Sequence, residues 1–550
     1  MDKKNFLLGI ICLFAAFTLF VKQERDLRES LSQQPTTQEK QEKAPVVSQK
    51  SQTMASSPKI AYKAPEIRAS QLITLENDFI KVNFSKIGGA IHSVALKKYP
   101  AALNSQSPYI FNQKALLPAL TLLDLLQNPI LASFEVTELK EDFIQFKTEL
   151  PDGTRIVRGY RLPDSKSENP YIIKNEFLID QPTEIRRSIG LFLGSMPGTP
   201  GDKYGEFLNF CSYDGKKTEA KRMADFEAGN GFFGIGRHEA QDKIESDHRF
   251  IWGALKNQFF VAILTPHTPA DGYLTYPRKN ATEDYIEGVL KFDLSSGQNR
   301  VTSTYYVGPK DYILLDKMGQ NQDQLMQFGF FSAVSKLLLM ALRGIHSFLP
   351  NWGWTIIVLT IIIKLLMWPV TQAQLRSSKK MNSIQAPLKL IREKYKNNPQ
   401  KLQTETMRLF KENRVNPAAG CLPVFIQIPI FIGLYYMLRT SSEIRFQSFL
   451  WIQDLSVPDT VAMLGAFPVN ILPILMGITM FVQMKLTPTP SMDGMQQKII
   501  MAMPFIFLIF CYSFPAALVL YWTIQNLFTI FQQWLTHRYL NDEQPQTVKH

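Results

Sequence analysis

Charge is scarce in this chain: only 20% of its 550 residues are Asp, Glu, Lys or Arg, against 45% hydrophobic. Cysteine is scarcer, with Cys12, Cys211, Cys421 and Cys511 alone. Three of them sit in apolar runs and only Cys211 lies in a polar stretch, so no disulfide framework is expected. The signatures of energy-coupled and hydrolytic enzymes are missing. The chain holds no G-x-x-x-x-G-K-[ST], no G-x-S-x-G and no H-E-x-x-H, which argues against a P-loop ATPase, an α/β-hydrolase and a zincin. The histidines are scattered and suggest no metal site. Gly231, Gly234 and Gly236 imitate part of a dinucleotide loop, but Glu239 fills the third glycine position, and turn glycines are the simpler reading. No cofactor is expected.

What is present is unevenly spread. A mean hydropathy of -0.08 hides apolar runs too long for a soluble core. The formal charge is +12, which points to anionic partners: lipid headgroups, nucleic acid or acidic peptide. Phe6 to Val21 is apolar with no A-x-A site behind it, so residues 1–21 read as an uncleaved signal anchor. Residues 22–70, rich in Gln, Ser, Lys, Glu, Thr and Pro, cannot bury enough apolar area to offset ordering entropy and read as a flexible linker. From 71 to 318 the apolar period becomes two. Ile80, Val82 and Phe84 alternate with polar neighbours, as do Ile144 and Phe146, while Phe259 to Leu264 is continuous, as in a strand covered on both faces. A large, mostly antiparallel sandwich is expected there. Residues 324–349 return to helical period. Leu338 and Leu342 lie on an apolar face opposite Lys336, Arg343 and His346, which suggests an amphipathic interfacial helix.

Five further apolar runs follow, at 351–370, 419–439, 462–485, 497–513 and 515–535. A span needs ~20 apolar residues, fewer where the bilayer is thin, so six spans are expected with the first. Between the second and third lies the most basic segment, 371–417, including Lys389, Arg392, Lys394 and Lys396. The positive-inside rule places it in the cytoplasm, together with both termini and the tail 536–550, and places residues 22–350 outside. Ile384, Leu388, Ile391 and Tyr395 recur at helical spacing, and Asn397-Asn398-Pro399 breaks the run, so a helical hairpin is expected. Its charges are accounted for by a solvated face and a topology signal. Contact with anionic lipid or with ribosomal RNA is an added expectation, and no DNA contact is.

One polar residue inside a span stands out. Lys364, in Thr-Ile-Ile-Ile-Lys-Leu-Leu-Met-Trp-Pro, would cost roughly 2.5–3.5 kcal/mol deep in a helix. It can equally snorkel to the headgroups from one turn inside. Thr360 lies one turn earlier. Gln427 sits between two isoleucines, and the last span carries Thr523, Gln525, Asn526 and Thr529. Singly these are helix-packing hydrogen bonds. Together with a cation lacking any intramembrane Asp or Glu, they could line a wet cavity with an anionic guest.

The C-terminal half, about 347–535, resembles the YidC/Oxa-type membrane protein insertases. The resemblance rests on a series in order: Asn351-Trp352-Gly353, Trp368-Pro369-Val370-Thr371-Gln372, Asn416-Pro417 through Leu422-Pro423, Gln427-Ile428-Pro429-Ile430-Phe431, Ile471-Leu472-Pro473 through Gly477, Met495-Gln496-Gln497-Lys498, and Phe514-Pro515 through Tyr521-Trp522. It implies an α-helical polytopic membrane protein. A five-helix core would enclose a hydrophilic groove, with an all-β periplasmic supersandwich domain outside and a cytoplasmic helical hairpin. Lys364 takes the place of the family's groove cation, commonly Arg, and Thr360 matches its neighbouring Thr. The substrate slide maps to Ile428, Phe431 and Phe510, and the aromatic contact to Tyr521 or Trp522. Gln427, Gln525 and Asn526 complete the expected wall. The implied work is that of a membrane insertase and folding chaperone, not an enzyme. It would act on nascent membrane proteins, alone or with the Sec translocon. The short, mixed-charge tail makes tail-mediated ribosome docking doubtful. A small-solute transporter and a membrane-anchored periplasmic sugar-binding protein are the rival readings. The first would show internal repeats and mid-membrane charge pairs, and neither is visible.

Overall fold

The computed structural model describes residues 67–539 apart from 125, 181–186, 201, 203–204, 230–238, 281–282, 295–298, 414, 416–421, 466 and 487–493. The signal anchor, nearly all of the linker, the tail beyond 539 and Gly231, Gly234 and Gly236 lie outside the described residues.

Residues 67–310 build a β-rich domain from three antiparallel sheets. The largest has nine strands, in the order Thr218–Arg222, Asn209–Tyr213, Trp252–Lys256, Phe260–Pro266, Arg300–Pro309, Ile172–Asp180, Arg155–Arg161, Phe143–Glu149, Glu135–Leu139. Its centre explains the continuous apolar run: Phe260 to Leu264 are all buried, and their neighbours across the ladder include Tyr305 and Tyr306. Toward the far edge burial alternates, as in Arg155–Arg161, where Ile156, Arg158 and Tyr160 point inward. A five-stranded sheet packs over the other end. Leu290 closes on Gly253 and Phe210 on Gly288, so each bulky side chain meets a residue without one. A four-stranded sheet, Leu72–Glu76, Ile80–Ser85, Ala90–Pro100 and Pro108–Phe111, covers the remaining face. There the Phe84 ring lies 4.9 Å from that of Tyr160. Cys211, read as polar in setting, is fully buried in the wholly buried strand Asn209–Tyr213, because its neighbours pair on both sides.

One inward residue breaks the apolar pattern. Arg158 is completely buried with no carboxylate partner among the described residues. Its guanidinium donates to the Gly88 carbonyl at 2.9 Å and the Leu120 carbonyl at 2.6 Å, while Tyr160 donates to Gly89 O at 2.8 Å. Burial pulls the arginine below its ordinary range. The turn it clasps demands glycine: Gly89 has φ +55°, and a Cβ there would lie 2.9 Å from the Phe134 ring. The cation thus ties a carbonyl of the tight turn to one in the segment at Leu120.

The helical part follows, with α1 Tyr312–Lys317, α2 Ser332–His346, α3 Trp352–Leu366, α4 Trp368–Ser383, α5 Gln385–Lys394, α6 Pro399–Glu412, α7 Leu422–Thr440, α8 Ile471–Leu486, α9 Gly494–Cys511 and α10 Ala516–Tyr539. Among the described residues no single helix is long and apolar enough to cross a membrane. The pair α3 and 368–374, bent by 56°, meets that test together. Within the expected span 462–485 the helix starts only at Ile471. Residues Thr460–Leu464 and Phe467–Asn470 form an antiparallel hairpin instead, because Gly465 turns the chain at φ +63° and Pro468 cannot supply a helical N–H.

The helix read as amphipathic begins at Ser332, with Gln322–Met326 a separate short 3-10 turn. Its buried stripe faces protein. Ser335 Oγ donates to Gly433 O of α7 at 3.1 Å, and Gly433 leaves room for Val334 and Leu338. The polar side is engaged by carboxylates and adjoins the joint with the β-rich domain. Lys336 pairs with Asp323 at 2.7 Å, and Arg343 bridges Asp311, at 2.8 Å, and Glu443. Asp311 also caps α1. Nearby, Arg439 pairs with Glu206 at 2.8 Å, Gln258 Nε2 donates to Arg439 O at 2.8 Å, and Arg445 donates to Pro100 O at 2.8 Å. Two buried lysines sit just behind this joint. Lys256 Nζ donates to Gln327 Oε1 at 2.8 Å and Lys310 Nζ to Gln258 O at 3.1 Å. Burial pushes both lysines down, Lys310 well down.

Candidate functional site

Helix α3 presents one continuous buried stripe, Trp352, Gly353, Thr355, Ile356, Leu359, Thr360 and Ile363, at helical spacing. Asn351 caps its start by accepting from Trp354 N at 3.2 Å. The glycine of the Asn-Trp-Gly triplet has a steric reason: a Cβ at Gly353 would fall on the Phe449 ring. In the last turn Lys364 reaches across to α10, where Nζ donates to Thr529 Oγ1 at 2.9 Å. Thr529 in turn donates to Gln525 O at 2.9 Å. Among the described residues no carboxylate pairs with Lys364.

One turn toward the start of α10 lies a second polar group. Gln427 Nε2, from α7, donates to Tyr521 Oη at 2.8 Å and to Gln525 Oε1 at 3.2 Å. Gln525 therefore stands beside both groups: its backbone carbonyl holds Thr529 and its amide oxygen holds Gln427. An aromatic patch adjoins them. Trp522 is flanked edge-on by Phe431 at 4.7 Å and Phe507 at 5.0 Å. Phe510 leans on Phe514 at 4.9 Å, and it and Ile428 are exposed. Of the residues picked from sequence, Lys364, Gln427, Gln525, Tyr521, Trp522 and Phe431 are brought together along the junction of α3, α7 and α10, with Ile428 and Phe510 on its apolar border.

Two are placed apart. Thr360 is fully buried and its hydroxyl turns back to Ile356 O at 2.7 Å, the usual satisfaction of a helical threonine. Asn526 faces the opposite neighbour, α8, with Nδ2 at 3.2 Å from Thr479 Oγ1 and 3.4 Å from Met476 O.

The structure also adds residues. Gln372 Nε2, in α4, donates to Thr536 Oγ1 of α10 at 3.1 Å. Gln532 is fully buried, and neither its amide nitrogen nor its oxygen has a partner among the described residues. Gln525, Thr529, Gln532 and Thr536 recur at steps of four, three and four, so they share one face of α10. That recurrence is the signal which inspection of single polar residues misses. The seam combines one cation, hydroxyls and carboxamides with an apolar border. It can hold an acidic or backbone group.

Comparison with known proteins identifies a class. A family profile described as 60Kd inner membrane protein matches residues 344–543, and one described as YidC periplasmic domain matches 195–341. The class is thus an inner membrane protein with a helical core and a β-rich periplasmic domain. Curated relatives called membrane protein insertase YidC extend the match. The protein of Francisella philomiragia is 33% identical over 85% of this chain and 84% of its own length. That of Haemophilus influenzae is 29% identical over 98% of both chains. That of Cupriavidus necator is 40% identical over 52% of this chain and 51% of its own. A solved structure of an active YidC insertase with its first transmembrane domain resolved is similar at TM-score 0.35 and 18% identity, covering 86% of this chain and 94% of that one. The chain belongs to the YidC family of membrane protein insertases.

Proposed function

We propose that this protein inserts nascent membrane proteins into the bacterial inner membrane and helps them fold, acting alone or beside the Sec translocon. The observation that carries the reading is Lys364, whose ammonium rests on a threonine hydroxyl with no carboxylate beside it among the described residues. A cation left so under-compensated inside an apolar bundle attracts an anionic guest. The acidic residues of a short outward-going segment supply one. The Gln427–Gln525–Tyr521 group and the α10 stripe replace water around that segment, which lowers the cost of carrying polar backbone through hydrocarbon. Its apolar helix leaves past Ile428, Phe431 and Phe510 into lipid. Apolar partitioning supplies the drive, and the membrane potential adds ~2.3 kcal/mol per charge per 100 mV. Residues 371–417 stand in the cytoplasm, where α5 and α6 capture the emerging substrate and meet anionic lipid or the ribosome. The chain crosses the membrane six times with both termini inside.

Insertion of a single-span substrate with an acidic outer segment, in cells depleted of the native protein, tests this. Lys364→Arg keeps insertion and Lys364→Glu abolishes it at equal protein level. Equal insertion by wild type and Lys364→Glu contradicts the reading.

A further inference from the structure

The hairpin Thr460–Asn470 has no charged residue in its sequence. A two-stranded ribbon ordinarily buries one face to be stable. Here the first strand is open on both faces: Val461, Met463 and Leu464 are 45%, 59% and 71% exposed, and Phe467, paired with Leu464, is 58% exposed. Yet its base is firmly held. Tyr512, just past the end of α9, donates to Pro468 O at 2.6 Å, and its carbonyl accepts from Asn470 Nδ2 at 2.7 Å. Thr460 Oγ1 donates to Asn470 Oδ1 at 2.7 Å. The apolar crest is presented, not loose.

Its position says what covers it. Asn470 runs directly into α8, whose Ile474 and Ile478 are also exposed. The preceding loop ties the same end of the bundle together. Asn351, capping α3, donates to Ser448 O, and Ala516 and Ala517, opening α10, donate to Val457 O and Leu455 O. Two exposed tryptophans mark that end. Trp354 packs against Phe449, and Trp451 donates to Asp459 Oδ2 at 3.1 Å. Amphipathic rings so placed are those of a membrane–water boundary. Helix α8 has 16 residues and spans about 24 Å, short of the ~30 Å of hydrocarbon.

We propose that this hairpin is a lipid-contact element, seated at the headgroup–acyl boundary of the leaflet nearest the β-rich domain. It extends the apolar belt beyond the end of α8 and offsets the shortness of that helix. The outer edges of a two-stranded ribbon keep unpaired N–H and C=O groups, so it stays where water still reaches and does not enter the hydrocarbon. The inference rests on the chain being an inner membrane protein and is independent of the role of Lys364.

Nitroxide accessibility tests it on the full chain in liposomes of phosphatidylethanolamine and phosphatidylglycerol. Cys12, Cys211, Cys421 and Cys511 are each replaced by alanine, and one label is attached through Leu464→Cys. Met463→Cys, on the other face of the ribbon, gives a second label site, and Lys216→Cys, on an exposed turn of the β-rich domain, gives the aqueous reference. The expected ratio of collision with oxygen to collision with a water-soluble nickel chelate is several-fold higher at both hairpin sites than at residue 216. A ratio equal to the reference puts the hairpin in water and overturns the proposal. Shielding from both reagents means protein covers it, a second copy or a partner, and overturns it as well.

Discussion

A lysine ammonium on a threonine hydroxyl has one hydrogen bond where three are available. Lys256 and Lys310 likewise make one hydrogen bond each, so what sets Lys364 apart is its place on the seam, where its partner Thr529 leads to Gln525 and Gln427. Lys256 and Lys310 show the structural case. Burial lowers both from the ordinary value of 10.5. Between the depressed folded value and 10.5 the unfolded chain binds more protons than the folded one, so this contribution to stability rises with pH across that window and is flat below it. Denaturant titrations of wild type and a Lys256→Met/Lys310→Met variant should therefore diverge in slope. The wild type should gain up to about 1.4 kcal/mol per pH unit for each lysine in the window relative to the variant. Parallel curves would mean that neither lysine is desolvated. Gln532 is the opposite test. An unpartnered buried amide costs about 1–3 kcal/mol, so Gln532→Met should raise the Tm, and insertion should fall if the α10 stripe receives substrate. A higher Tm with unchanged insertion would make Gln532 a packing residue only. Lys364 and Gln427 were legible because a polar residue amid isoleucines has few ways to be satisfied. Asn526 was not, because adjacent residues on a helix point about 100° apart. Gln525 faces α7 and Asn526 faces α8, and composition cannot tell them apart. Arg158 was hidden by the same limit: period two places it inward, and only the fold shows the carbonyls it ties.

Among the elements, α2 changes meaning most between sequence and structure. Its spacing predicts an interfacial helix, and its exposed Leu337 and Met340 suit that. Leu338 and Leu342, however, are buried, with Leu338 packing at Gly433 of α7, while Lys336 and Arg343 are engaged by Asp323, Asp311 and Glu443. A period-3.6 pattern records that one face is apolar, not whether lipid or another helix covers it. Leu338→Ala should cost about 2–5 kcal/mol as a core truncation, read as a lower Tm of the purified protein in detergent, whereas Leu337→Ala should leave the Tm nearly unchanged. Equal effects would return the buried face to the membrane. The segment 462–470 fails for a related reason: its apolar run satisfies a hydropathy window, and only Gly465 and Pro468 betray the hairpin. Pro399 behaves as its chemistry requires. It opens α6 at the first helical position, where Asn398 accepts from Lys401 N at 3.1 Å, and α5 has already ended at Lys394.

At the scale of the whole molecule, the β-rich domain and the helical core share a joint built on Arg439 and Arg445. The seam around Lys364 lies among α3, α7 and α10, away from that joint. The α/β division was legible from the switch in hydrophobic period near 320, since period two and period 3.6 cannot be confused over such lengths. The joint was not, because Arg439 and Glu206 lie 233 residues apart and Arg445 and Pro100 lie 345 apart. The central claim, that substrate passes along the seam, is tested most directly by photo-crosslinking. A photoreactive residue at Gln427, Trp522 or Asn526 is presented, in the full-length protein, to a ribosome-bound single-span substrate carrying an acidic outer segment. Positions 427 and 522 should crosslink and 526, turned toward α8, should not, and Lys364→Glu should erase the crosslink at 427. Strong crosslinking at 526 with none at 427 and 522, or crosslinks at 427 indifferent to Lys364→Glu, would contradict it.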